Sequence, residues 1–328
     1  MQFPIFKRTN KLERIFILSA LVVIGLIIGS VIGIIFPFVT GQDVTSLSSL
    51  RFMQITSQIF TFVLPPMLYA MLVKEEPMTA LGLKKVTYHW FVIGIAMMYA
   101  ILPLNNIFAE WNAGLKLPES MSGIEEMMRS MQESATELTE RMLNVNNIGG
   151  LIINIIMIAG LAALGEELLF RSIIQTSLIK ICRNAHIGIF LASAIFSFIH
   201  FEFYGFIPRL VIGLLLGYMY YYSKSIWVPM TMHFANNATI VFLYYLNNIG
   251  LTNIDVEGFG ETNIVVLLLS VIATAALFWL AIRRTRNEND DDNDDDNDND
   301  NDDDNDNDDD NDDDNDDDND NDDDNDDE

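Results

Sequence analysis

The sequence predicts an all-α protein, a polytopic transmembrane helix bundle of about eight spans with a disordered acidic C-terminal tail. Three observations lead there. Uncharged apolar runs recur along the chain, beginning with Ile15 to Phe38, and such a run is long enough to cross a hydrocarbon core of roughly 30 Å. Half of the residues are hydrophobic although the formal net charge is −27. The contradiction resolves at the C-terminus, where residues 287–328 are Asp and Asn apart from Glu288 and Glu328 and hold 29 of the 46 acids. The other 286 residues carry 17 acids against 19 Lys plus Arg, a nearly neutral and very apolar body.

Residues 1–14 carry Lys7, Arg8, Lys11 and Arg14 ahead of the first apolar run. That run is too long for a signal peptide and lacks a small-residue cleavage site, so it reads as a signal anchor and first span. Further spans are expected at 54–73, 88–108, 148–180, 186–203, 207–222, 226–246 and 263–282, the overlong fourth one kinked or broken. With the N-terminus inside, the inner segments hold Lys74, Lys84, Lys85, Lys180, Arg183, Lys224, Arg283, Arg284 and Arg286. The outer segments are 40–53, 109–147, the turn Glu202–Tyr204 and 247–262, mostly acidic or neutral although Arg51, Lys116, Arg129 and Arg141 lie among them. By the positive-inside rule both termini come out cytoplasmic, in a multi-pass protein of the cell membrane. The lipid bilayer is the partner the runs imply, and no nucleic-acid partner is expected.

Residues 119–143 mix Met and Leu with Glu, Arg and Gln. They read as an amphipathic helix lying on the membrane surface, with a lid over a substrate opening as the other reading. A single cysteine, Cys182, excludes an intrachain disulfide framework. The tail cannot bury a core. It lacks the glycine and terminal Glu of calcium-binding loops, so it reads as an expanded repeat, with loose attraction of cations as the lesser account. The organisation is therefore 1–147 for N-terminal spans plus the amphipathic segment, 148–246 for a polar-site core, 247–286 for the last span and 287–328 for the tail.

The core holds ionisable side chains inside apolar runs, where they are costly and mark functional sites. Glu167 and Arg171 stand four apart in the order that favours an ion pair. Glu166 lies about 100° round the helix without a local partner. Phe196 and His200 are also four apart. If the chain reverses near Arg183, Glu166 and His200 each lie 17 residues from the turn, about 25 Å along their helices, and so meet. His233 and Asn237 share a third helix face, with Asn236 about 100° away. Counted from Lys224, His233 comes out only about 14 Å deep. His89 and His186 sit at helix starts and stay apart.

A Glu beside a His can deprotonate a water, the general-base step of hydrolysis. A second His with an Asn can donate to the oxyanion of a tetrahedral intermediate. Zinc is the competing use of Glu166, His200 and His233, although no H-E-x-x-H is present. No G-x-S-x-G appears either, which argues against a serine nucleophile.

E-E-x-x-x-R (Glu166, Glu167, Arg171), F-x-x-x-H (Phe196, His200) and H-x-x-x-N (His233, Asn237) resemble, in order, the three motifs of the CPBP family. These are the CAAX-protease and bacteriocin-processing membrane proteins, also called Abi, which include the type II CAAX prenyl endopeptidases. The resemblance covers roughly residues 148–246. It implies an intramembrane endopeptidase with Glu166 as general base and His200 holding the water. His233 and Asn237 would form the oxyanion hole, and Glu167 with Arg171 would orient the site. The family is commonly labelled metalloprotease, so zinc and a metal-free glutamate mechanism both stay open and the cofactor stays unassigned. The implied substrate is a peptide or protein, lipidated or a bacteriocin precursor. The alternative is a non-catalytic membrane protein for bacteriocin self-immunity or scaffolding.

Overall fold

In a computed structural model, which describes residues 6, 8–73, 76–256 and 263–299 with side chains as far as Asn287, the first apolar run forms helix α1 (Lys11–Thr40). Its start is fixed by a reciprocal cap: Asn10 accepts from the Glu13 amide while Glu13 accepts from the Asn10 amide. This arrangement satisfies two of the orphan donors at a helix start. The helix buries only one narrow stripe, Gly25, Gly29, Gly33 and Pro37. Against it lies α2 (Leu47–Val73), whose middle turn, Gln58–Val63, is a π-helix. A Cβ at Gly25 would stand 1.9 Å from the Phe60 carbonyl oxygen. Only glycine lets these two backbones touch, the usual way apolar helices associate inside lipid.

Helices α3 (Tyr88–Ala100) and α4 (Leu102–Ala113) meet at a 42° bend and are long and apolar enough to cross a membrane only when taken together. Pro103 lies in the first turn of α4, where its missing N–H costs nothing. The amphipathic segment forms α5 (Ser122–Leu143). The overlong fourth run is a continuous helix, α6 (Ile148–Cys182), so it is neither broken nor sharply kinked. Two π turns, Ile155–Leu161 and Leu168–Gln175, absorb the excess and bracket Glu166 and Glu167. Such turns are rare and concentrate at functional sites.

The chain then reverses at Arg183 in the left-handed conformation (φ 52°), and Asn184 caps the next helix, α7 (Ala185–Phe198). Gly188 makes the hairpin tight, since a Cβ there would meet the Ile179 backbone nitrogen at 2.6 Å. A 3-10 turn, Phe203–Gly205, leads into α8 (Phe206–Ser223). Helices α9 (Trp227–Asn248) and α10 (Ile264–Asn299) complete the order. Every regular element among the described residues is helical. The body of the chain ends at Thr285, and a second unit begins at Arg286. Helix α10 runs past the expected span end at 282 and past the tail boundary at 287, to Asn299. The remainder of the tail lies outside the described residues.

Eight expected spans become five helices long and apolar enough to cross a membrane, or six with the bent pair α3–α4. The two others exist as helices. At 14 residues α7 is about 21 Å long, and α9 is diluted by Asn and His. Each buries one face in the bundle and keeps an exposed apolar one, with Phe190 and Ile195 on α7 and Phe234 and Phe242 on α9.

Hydrogen bonds gather the loops at two ends. At one, Arg141 Nη2 donates to Thr45 O, Asn112 Nδ2 to Phe203 O and Asn248 Nδ2 to Leu143 O, at 2.9–3.0 Å. At the other, Lys11 Nζ donates to Lys180 O, Ile226 N to Gly82 O and Ser225 Oγ to Lys84 O. The interior between them includes a cluster of Trp90, Met97 and Met98 from α3, Leu216 and Met219 from α8, and Val228 and Met232 from α9.

Candidate active site

Between its two π turns, α6 presents Glu166 and Glu167 to the bundle interior, both buried. Glu167 is the hub of the charges. Its Oε1 accepts from His233 Nδ1 at 2.9 Å, and its Oε2 lies 2.9 Å from Arg171 Nε. The expected Glu167–Arg171 pair is thus present, and it is completely inaccessible to solvent. The Nε–H does not aim at the carboxylate oxygen, and neither Nη nitrogen has an acceptor. Charge neutralisation holds this pair rather than a directed hydrogen bond. The guanidinium carbon instead sits 4.9 Å above the Phe196 ring, a cation–π contact that partly replaces lost hydration.

Phe196 sets the geometry of both histidines. Its ring meets His200 edge-on at 5.0 Å and His233 at 6.2 Å. His200 lies just past the end of α7, and its Nδ1 is 2.8 Å from the Phe196 carbonyl. A carbonyl only accepts, so the proton sits on Nδ1 and Nε2 keeps its lone pair. Asn237 Nδ2 donates to Ile158 O at 3.2 Å, and its Oδ1 accepts from Asn236 at 3.1 Å.

Glu166 Oε2 lies 3.8 Å from His233 Nε2. That is beyond a direct hydrogen bond and suits a bridging water. Glu166, Phe196, His200, His233, Asn236 and Asn237 all line one cavity of about 590 Å³. All four residues expected to do chemistry therefore reach one space, with Phe196 in its wall and Glu167 and Arg171 behind it.

Three expectations change. His233 is not shallower than the acids, since it touches both. The reason is the loop before α9: Ser225 and Ile226 are fully buried, so α9 starts inside the bundle, whereas the end of α6 projects outward. Asn236 does not face away, because the cavity is wide enough to take both neighbours. The metal-ligand grouping of Glu166, His200 and His233 does not form; among the described residues no three His, Cys, Asp or Glu side chains converge as a metal would need.

Sequence reasoning passed over Gln58, a buried side chain in the π turn of α2 within reach of Glu166. A single Gln in an apolar run is its only signal. The ion pair Arg209–Glu202 (2.6 Å) in the cavity wall was also missed, being seven residues apart across a turn. From α5, Thr136, Thr139 and Glu140 line the same cavity. His186 bonds Tyr218 and His89 stacks on Tyr88, both away from the site.

The stretch that carries this buried carboxylate–imidazole site, with its Arg-braced second carboxylate, is similar to a known family: residues 148–239 match the model described as type II CAAX prenyl endopeptidase Rce1-like. The match takes in every residue from Glu166 to Asn237, as the motifs led one to expect. The chain is also 40% identical over 89 residues to a Bacillus subtilis (strain 168) protein described as uncharacterized protein YpbD. That stretch covers 26% of this chain and 42% of the relative, so the chain spans less than half the length of YpbD. No solved structure matches.

Proposed function

We propose that this multi-pass membrane protein is an endopeptidase that cleaves peptide bonds with a water activated by Glu166. The observation that carries the reading is the 3.8 Å gap between Glu166 Oε2 and His233 Nε2 at the wall of a shared cavity. A water between them gives its proton to Glu166, and its oxygen attacks the scissile carbonyl carbon. His200, protonated on Nδ1, accepts the water's other hydrogen at Nε2 and so orients it. The oxyanion takes hydrogen bonds from Nε2–H of His233 and from the second N–H of Asn237, and preorganised donors of this kind supply much of the rate enhancement. Because His233 already gives its Nδ1 proton to Glu167, donation from Nε2 requires the imidazolium, which the two carboxylates stabilise. Arg171 keeps Glu167 ionised for that task. Glu166 then passes its proton to the leaving amine as the C–N bond breaks.

The substrate is a peptide or protein, of the CAAX-processing or bacteriocin-processing kind. The Lys and Arg distribution supports a chain with both termini in the cytoplasm of a cell membrane.

The test is purified chain in detergent with internally quenched peptides, prenylated and unprenylated. Glu166→Gln keeps size and hydrogen bonding but removes the base, so cleavage should fall ~10²–10⁴-fold while the unfolding midpoint stays unchanged. Wild-type turnover in Glu166→Gln would sink the protease reading and leave a non-catalytic immunity or scaffold protein. Loss of activity on chelation, with recovery on zinc, would instead move Glu166 from base to ligand.

A further inference from the structure

The two ends of the bundle differ sharply in charge. Among described residues of the body, the end that gathers the loops near Gly82, Arg183 and Ser225 carries ten Lys or Arg against two acids, Glu13 and Glu76. The opposite end, which gathers α5 and the turn at Phe203, carries five Lys or Arg against ten acids. Loops rich in Lys and Arg stay on the cytoplasmic side. The cavity belongs to the other end. Its wall includes Thr136, Thr139 and Glu140 of α5, all exposed, together with Glu202 and Arg209 beside the Phe203 turn. Tethers to α5 fix that placement: Tyr204 N donates to Gln132, and Arg129 lies 4.1 Å over the Tyr204 ring.

We infer that the catalytic cavity opens on the extracytoplasmic side, and that its substrates are peptide segments presented there rather than proteins finished in the cytoplasm. This rests on the protease reading above and names its substrate class. The helix α5 supports the same orientation. Ile124, Met127, Met131 and Leu138 form an exposed apolar stripe along it. Glu126, Glu133 and Glu137 lie on another face and Thr136 and Thr139 on a third. A helix with these three faces lies in an outer-leaflet interface, acids to water, and roofs the cavity from there.

The chain's one cysteine sits at the basic end, partly exposed, and serves as an internal probe. In intact cells, a membrane-impermeant maleimide should leave Cys182 unlabelled until the membrane is permeabilised. Thr136→Cys in a Cys182→Ser chain should label without permeabilisation; Ser134→Cys, on the exposed side of α5, serves if the first does not accumulate. The reverse pattern, or labelling of both ends in intact cells, overturns the inference. In sealed right-side-out vesicles, whichever quenched peptide is cleaved in detergent should be cleaved when added outside. Cleavage only after lysis overturns the inference as well. A chain that labels as expected but cleaves no peptide in detergent refutes the protease reading while upholding the orientation.

Discussion

Arg171 is the side chain whose removal the structure prices most clearly. It is fully buried, neutralises Glu167 at 2.9 Å and covers the Phe196 ring. Arg171→Met keeps most of the volume and deletes the charge, leaving Glu167 with the His233 N–H alone. Breaking a buried pair by removing one partner costs about 3–5 kcal/mol. The orphaned Nη donors reduce what the arginine itself gains, so the lower half of that range is expected. The double variant Glu167→Gln/Arg171→Met removes both charges and should recover most of the loss, since apolar replacements of buried pairs range from neutral to stabilising by about 1–4 kcal/mol. The assay is SDS titration of the purified chain in mixed micelles, comparing unfolding free energies round the four-variant cycle. If the single change costs under about 1 kcal/mol, well below the range for a buried pair, or the double variant is as unstable as the single, the pair is not a buried neutralised unit. The argument for Glu167 as the stabiliser of His233 then falls with it.

Asn237→Ala should lower kcat about 10²–10³-fold with little change in KM, as loss of one oxyanion donor does; an unchanged kcat removes Asn237 from the hole. Gly25→Ala should weaken docking of α1, because its methyl would sit 1.9 Å from Phe60 O; overpacking costs typically about 1–3 kcal/mol, and full retention of the unfolding midpoint would mean the stripe is not an interface. At Glu125 the Leu117 amide, and then Arg129, hold the carboxyl below its ordinary value. A lowered folded value means this tie is complete above the ordinary value of about 4.3 and is lost as pH falls through the folded one. Hydrogen exchange at the Leu117 amide, corrected for intrinsic rate, should lose protection only in that acidic range; loss nearer neutrality would show that the tie is something else.

The site was legible where helical geometry is local. Glu167 and Arg171 pair because four residues make one turn. The meeting of Glu166 and His200 at one cavity follows from the reversal at Arg183, which equal counting on either side anticipates. Errors arose where depth depends on tertiary placement. Nothing in Ser223–Ile226 announces that Ser225 and Ile226 are fully buried, and that alone displaced His233. All eight expected spans are present as helices, but α7 is short and α9 carries Asn and His, so neither by itself has the length and hydropathy of a crossing helix. Gly25, Gly29 and Gly33 recur every four residues, but that spacing names no partner until Phe60 and Met53 of α2 are placed against it.

The two π turns of α6 carry a consequence for how this helix can vary. Each inserts one extra residue, so α6 behaves as three pieces with independent angular phases. The middle piece aims the carboxylates. The upper piece aims Asn154, which accepts from Arg51 and donates to Met142 O. Excising one exposed residue of the first π turn, Ile156 for instance, would restore ordinary α winding and turn the upper piece by about 100° relative to Glu166. The aim of the reacting groups and the docking of the helix top are therefore separately adjustable, by the gain or loss of single residues in a stretch where neither loop length nor composition would betray the change.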